Sequence, residues 1–251
     1  MDLSLKGKVI LISGGAKDTG AAIAHACGRE GGVPVILDRD ISAIERVRAE
    51  LRQEGIEHDT IQVDLTESSE TSRAVEDVGR KYGRIDGLVN NAGVNDGVGL
   101  EHGSPERFVA SLKRNLVPYD TVTQATLPFL KQSKGSIVII SSTVAITGQG
   151  GTSGYAAAMG AVLGLTLEWA AELSLYDIRI NAVVRAEMKT PQYEEWVKKF
   201  DDQNEELRKI AKKVPLGRRM TEPGEIGATT VFLLSTKSAG ITGQHLFVRG
   251  G

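Results

Sequence analysis

The stretch with the most chemistry in it runs from Ser141 to Leu167, SSTVAITGQGGTSGYAAAMGAVLGLTL. The apolar run Ser136-Ile137-Val138-Ile139-Ile140 ends in two serines, turn residues follow, and a helix-favouring Ala/Leu/Met series begins at Tyr155. A strand end, a Gly-rich loop and a helix start in this order bring the Ser142 hydroxyl and the Tyr155 phenol to one mouth. A phenol titrates near 10, so a tyrosine that exchanges a proton near neutrality needs a cation or a partner that favours phenolate. One helical turn on stands Met159, an i, i+4 neighbour expected to look into the same space. Its thioether supplies no charge.

These side chains need elements to position them. Lys8 to Ser13, KVILIS, is a short apolar run that leads into Gly14-Gly15-Ala16-Lys17-Asp18-Thr19-Gly20 and then the helical Ala21-Ala22-Ile23-Ala24-His25-Ala26-Cys27. Glycines permit a tight turn and close backbone approach, and a helix start offers free N–H groups and a positive dipole end to a diphosphate. Val33-Pro34-Val35-Ile36-Leu37 follows as a second strand ending in Asp38, the context a dinucleotide site requires. Gly14, Lys17, Thr19 and Gly20 are therefore candidate cofactor-binding residues. Asp38 is placed to accept from an adenosine ribose and to repel a 2′-phosphate, so NAD is expected over NADP. Lys17 and Arg39 oppose that preference, since either can meet a phosphate. Asp18 would repel a diphosphate unless it caps the helix, the role expected for it.

Further along, Ile41 to Glu54 and Glu67 to Tyr82 carry helical spacing of apolar residues, Thr60 to Leu65 reads as a third strand, and Gly87-Leu88-Val89-Asn90-Asn91-Ala92-Gly93 as a fourth that breaks into a small-residue turn. Val94 to Gly103 is polar and Gly-rich, which fits a loop over the strand ends. A helix opens at Pro105 and meets Pro118, expected to interrupt it. Arg179 to Val184 is the sixth strand, residues 185–213 form a substrate-lid segment whose part from 192 on is charged and helical, and Gln244 to Gly251 closes the chain as a seventh strand and turn.

The bulk composition narrows the function. The chain has 251 residues, is 41% hydrophobic and 25% charged, and carries a net charge of -2, which suits one globular domain and gives no basic field for nucleic acid. A single cysteine, Cys27, excludes internal disulfides, and the histidines and cysteine show no metal-ligand spacing. The start MDLSLKGKV lacks an apolar signal core and no run reaches transmembrane length, so a cytoplasmic setting without a membrane partner is expected.

These motifs together resemble the short-chain dehydrogenase/reductase family over essentially the whole chain, through the Gly14–Gly20 turn, the Asn90-Asn91-Ala92-Gly93 motif and the serine that precedes a tyrosine helix. Within the family, NNAGVNDGVGLEHGSPERF and TGQGGTSGY are similar to the sugar dehydrogenases that oxidise L-fucose and related aldoses. The resemblance implies an α/β, single-domain, doubly wound parallel sheet, Rossmann-like, with helices on both faces and the ligand at the carboxyl edge of the strands. It implies catalytic roles for Ser142, Tyr155 and Asn115, the last holding a relay water and bending its helix, and a lysine at the position of Met159. It assigns Asp64 to the adenine amino group with Leu65 beside it, Asn91 and Gly93 to the cofactor side of the fourth strand, and Thr190 to the nicotinamide side. A small-molecule substrate, a sugar or other secondary alcohol or carbonyl, and a homo-oligomer, a tetramer, are implied as well.

The chain also departs from the family pattern. Asp18 stands for the middle glycine of the turn, Met159 for the lysine, Arg185 for a proline and Arg249 for an aspartate, and the sequence stops soon after the last strand where most relatives continue. Lys17 and Lys189 are candidates for a replacement cation. An impaired dehydrogenase is the first expectation. The alternative is a non-catalytic or engineered scaffold that keeps the fold and puts the cleft to another use.

Overall fold

In the computed structural model, residues 2–186, 188, 205, 211–212 and 214–251 are described. The strands are β1 (Val9–Ser13), β2 (Val33–Asp38), β3 (Asp59–Gln62), β4 (Gly87–Asn90), β5 (Ser136–Ser142), β6 (Arg179–Arg185) and β7 (His245–Val248). The helices are α1 (Asp18–Arg29), α2 (Ile41–Gln53), α3 (Ser68–Tyr82), α4 (Pro105–Asn115), α5 (Val117–Ser133), the short α6 (Val144–Thr147), α7 (Ser153–Leu173) and, beyond the lid segment, α8 (Pro223–Leu234). The seven strands form one parallel sheet in the order β3-β2-β1-β4-β5-β6-β7.

Strand residues alternate between two buried faces, which is why each strand reads as a continuous apolar run. In β1, Val9 and Leu11 join the core shared with α3, α5 and α7, while Ile10 and Ile12 join the core shared with α1, α2 and α8. The order reverses between β1 and β4, since the chain builds outward through β2 and β3 before returning to lay β4 against β1. Ligands of doubly wound sheets bind at the carboxyl edge of such a switch point.

Three expectations need correction. The third strand ends at Gln62, three residues before Leu65, although the Val63 N–H still bonds the Asp38 carbonyl at 2.9 Å. Pro118 does not interrupt a helix: the break falls at Leu116, and Pro118 sits in the first turn of α5, where a missing N–H costs nothing. Finally, Ser153–Tyr176 is long and apolar enough by length and composition to cross a membrane, with mean hydropathy 1.3. One side of that helix packs into the core through Tyr155, Ala158, Val162 and Trp169, as expected of a central helix in a layered fold.

Asp86, just before β4, ties the amino edge of the sheet together. Its carboxylate accepts from the Val9 N–H at 3.0 Å, from Lys8 Nζ at 3.1 Å and from Arg84 Nε at 2.8 Å. Burial pushes this carboxyl up, but the bonds from Arg84, Val9 and Lys8 outweigh it and hold the group below its ordinary value of 3.8. A depressed folded pKa contributes stability that is complete above the unfolded value and is lost as pH falls through the folded one. Asp86→Asn should therefore lower the unfolding free energy by about 2 kcal/mol at pH 7 and flatten its fall below pH 4, measured by urea titration across pH.

Candidate functional site

The centre of the site is a junction between the ends of β1 and β4. The Asn91 side-chain amide donates to the Ser13 carbonyl at 3.2 Å and to the Gly14 carbonyl at 2.8 Å. Ser13 Oγ in turn accepts from the N–H groups of Asn91 and Ala92 at 2.9 and 3.2 Å. Gly14 adopts φ +62, and a Cβ there would stand 2.8 Å from the Ala92 Cα; a Cβ on Gly20 would fall 2.1 Å from the Gly14 carbonyl oxygen. Neither position has room for a side chain. Thr19, nearly buried, directs its hydroxyl at the Met188 sulfur, 3.9 Å away, which draws the segment after β6 against the first turn of α1.

Asp18 does not cap α1. The N-cap is Lys17, with no side-chain cap bond, and Asp18 is the first helical residue, with φ +45. That left-handed conformation is costly for a residue with a Cβ and turns Asp18 onto the wall of the cleft. Burial raises its carboxyl pKa, and the charges that draw it back down are Arg185 first, then Lys17 and Arg46.

At the end of β2, Asp38 accepts from the Ala16 and Asp40 N–H groups, each at 3.1 Å. Asp64 accepts from the Thr66 N–H at 3.0 Å and the Thr66 hydroxyl at 2.8 Å, which hold its carboxyl below the usual range, and Leu65 lines the wall beside it. The two cations that could have favoured an extra phosphate are both paired: Lys17 with Asp40, and Arg39 with Asp64 at 3.8 Å.

At the other end, Ser142 is 6% and Tyr155 7% exposed, and both line the same cavity as Gly14, Asp38 and Asn91. The cavity encloses about 1060 Å³. Met159 does not join its wall: it is 2% exposed and packed in the core, with its carbonyl accepting from Ser141 Oγ at 2.9 Å. The expectation that Tyr155 and Met159 both look into the cleft thus fails: Tyr155 lines the cavity and Met159 packs in the core. Behind them lies Tyr119, fully buried, its hydroxyl donating to the Ile140 carbonyl at 2.9 Å and its phenol driven far up by burial.

Asn115 ends α4 and is completely buried. Its Oδ1 accepts from the Val94 N–H at 2.7 Å and its Nδ2 donates to the Ser111 carbonyl at 3.1 Å. Gly93 lies against this amide. The loop from Val94 to Gly103 is pinned rather than free: Asp96 accepts from Ser111 Oγ and Arg114, each at 2.9 Å, Asn95 Oδ1 accepts from Thr152 Oγ1 at 2.6 Å, and the Val98 carbonyl accepts from Gly154 at 3.0 Å. His102, in contrast, is exposed. Thr190, Lys189 and most of the 185–213 lid segment lie outside the described residues.

Sequence reasoning missed Asn95, Arg114 and Gln149, which line the reaction end, and the Ser13 hydroxyl that latches the junction. Nothing local marks them, since each acts through a partner far away in sequence. Among the described residues no group of His, Cys, Asp and Glu could hold a metal. The Gly14–Gly20 cradle, where side chains are sterically barred, and the carboxylate acceptor at Asp38 fit a dinucleotide. A serine and a tyrosine at its far end fit proton transfer to or from an oxygen.

Residues 14–251 match a family model described as enoyl-(acyl carrier protein) reductase. The chain is 36% identical over 246 residues to an L-fucose dehydrogenase of Oryctolagus cuniculus, covering 98% of this chain and 84% of that one. It is 35% identical to the 3-oxoacyl-[acyl-carrier-protein] reductase FabG of Thermotoga maritima, with 99% of each chain covered. The crystal structure of Cj0485 dehydrogenase superposes with a TM-score of 0.94 at 41% identity, over 100% of this chain and 96% of that one. The cradle at the β1/β4 switch, the Ser142 and Tyr155 hydroxyls at one cavity end and these likenesses along the full length lead to one conclusion: the chain belongs to the short-chain dehydrogenase/reductase family of oxidoreductases, whose members bind nicotinamide cofactors.

Proposed function

We propose that the protein interconverts an alcohol and a carbonyl on a small polyhydroxylated substrate, an aldose of the L-fucose kind, with NAD as cofactor, at a rate reduced by Met159. The observation that carries this reading is that Ser142 and Tyr155 stand on the wall of the same cavity as the Gly14–Gly20 cradle and Asp38. A bound nicotinamide supplies the hydride acceptor. Ser142 donates a hydrogen bond to the reacting oxygen, and Tyr155, as phenolate, takes the hydroxyl proton during oxidation and returns it during reduction. Asn115, with its amide engaged by Val94 and Ser111, bends the α4–α5 junction and fixes the loop that walls the substrate. The polar lining by Asn95, Gln149 and Arg114 favours a sugar over an acyl chain.

The second reading, a non-catalytic or engineered scaffold, draws on the departures at Met159, Arg185 and Arg249, of which Arg185 and Arg249 line the cleft. The two readings part on turnover, since a scaffold can keep its cofactor.

Three outcomes are expected. In calorimetry, NAD should bind at least about tenfold more tightly than NADP, a difference of about 1.4 kcal/mol, because Asp38 faces the ribose and Lys17 and Arg39 are paired with carboxylates. Equal affinity would shift the weight to those cations. In assays of NAD reduction with L-fucose and related aldoses, Met159→Lys should raise turnover on the order of a hundredfold, the effect of about two pKa units on a proton-coupled step, and move the acidic limb of the pH profile to lower pH. The new ammonium starts from a buried site and must reach the cavity along its methylene stem. Ordinary enzyme rates in the parent chain would show that another group already serves Tyr155. Light scattering at micromolar concentration should return a tetramer, because α7 leaves Leu167 53% exposed on its outer face beside small residues; a monomer would contradict this.

A further inference from the structure

Among the described residues five cationic side chains line the cavity: Lys17, Arg39, Arg114, Arg185 and Arg249. Four are engaged. Lys17 pairs with Asp40, Arg39 with Asp64, Arg114 with Asp96, and Arg249 lies over the Phe247 ring, 5.4 Å from its centroid. Arg185 has no hydrogen-bond or ion-pair partner for its guanidinium among the described residues. It is also one of the departures from the family pattern, standing where a compact proline is expected.

Its placement is set by the sheet. Arg185 is the last residue of β6 and is in register with Ser142, the last of β5, so its backbone adjoins the reaction end. Along β6, Val184 faces the α7 core and Val183 the α1 core, and alternation puts Arg185 on the Val183 side, toward α1. The contact between Thr19 and Met188 closes the same gap a few residues later. Arg185 thus starts beside Ser142, and it lines the cavity together with Lys17, Asp18 and Thr19 of the β1–α1 turn.

We propose that Arg185 is a diphosphate-binding cation of this protein and that its charge offsets the repulsion which Asp18, on the same cavity wall, would exert on the ligand. The proposal rests on the cavity being a dinucleotide site. Two departures from the family pattern then compensate each other: Asp18 alone would repel the ligand, and Arg185 brings the opposite charge to the same wall. Arg185 is the largest of the charges opposing the burial of Asp18, in keeping with their shared wall.

The test is calorimetric binding of NAD and of AMP, which probes only the adenosine half at Asp38 and Asp64, to the full chain and to Arg185→Gln, Arg185→Lys, Asp18→Asn and the Asp18→Asn/Arg185→Gln double variant. Arg185→Gln should weaken NAD roughly tenfold or more and leave AMP within about twofold, while Arg185→Lys retains most of the NAD affinity. Asp18→Asn in the Arg185→Gln background should recover part of the loss, because the uncompensated carboxylate is removed. Unchanged or tighter NAD binding by Arg185→Gln would overturn the proposal and mark the guanidinium as an obstruction. An equal loss of AMP, or a lysine variant as weak as the glutamine, would overturn it too. If neither the parent nor any variant binds NAD or AMP, the dinucleotide reading itself falls, an outcome distinct from NAD binding that ignores Arg185.

Discussion

The amide of Asn91 is the point on which the site depends. Two neighbouring parallel strands, β1 and β4, part company at their carboxyl ends, and the backbone groups released there must find partners or water. Asn91 meets the carbonyls of Ser13 and Gly14, and Ser13 Oγ meets the N–H groups of Asn91 and Ala92. This exchange fixes Gly14 at its positive φ, brings Gly20 against the Gly14 carbonyl, and so sets where α1 begins. Without it the cradle, and with it the distance from cofactor to Tyr155, has no fixed geometry.

From that junction the cleft divides into two electrostatic halves. One half presents carboxylates, Asp38 and Asp64, with the nearby Lys17 and Arg39 drawn into pairs. The other half carries Arg114, Arg185 and Arg249 on the same wall as the Ser142 and Tyr155 hydroxyls. The buried Tyr119, locked to the Ile140 carbonyl, has its phenol driven far up by burial and stays out of the cavity wall.

Much of this was legible in the sequence because it is local. The KVILIS strand, the Gly14–Gly20 turn and the Asp38 strand end follow from periodicity and turn chemistry, and the sheet with its helices formed where the apolar runs placed it. What escaped depends on pairs distant along the chain. Asp18 was read as a cap because an aspartate before a helix usually is one; the chain instead places it one residue inside, in a left-handed conformation. The spacing to Tyr155 places Met159 in the cleft, yet it packs in the core, its carbonyl accepting from Ser141 Oγ. The Lys17–Asp40, Arg39–Asp64 and Arg114–Asp96 pairs carry no sequence signature, although they decide which charges remain available.

The central claim is that a single cavity at the β1/β4 switch holds a dinucleotide from Asp38 to Tyr155. A crystal structure of the protein soaked with NAD tests it most directly. The account predicts the adenosine ribose on the Asp38 carboxylate, the diphosphate over Gly14–Gly20, and the nicotinamide ring beside Ser142 and Tyr155. A dinucleotide found with its nicotinamide end turned out of the cavity, or bound elsewhere on the molecule, would contradict it.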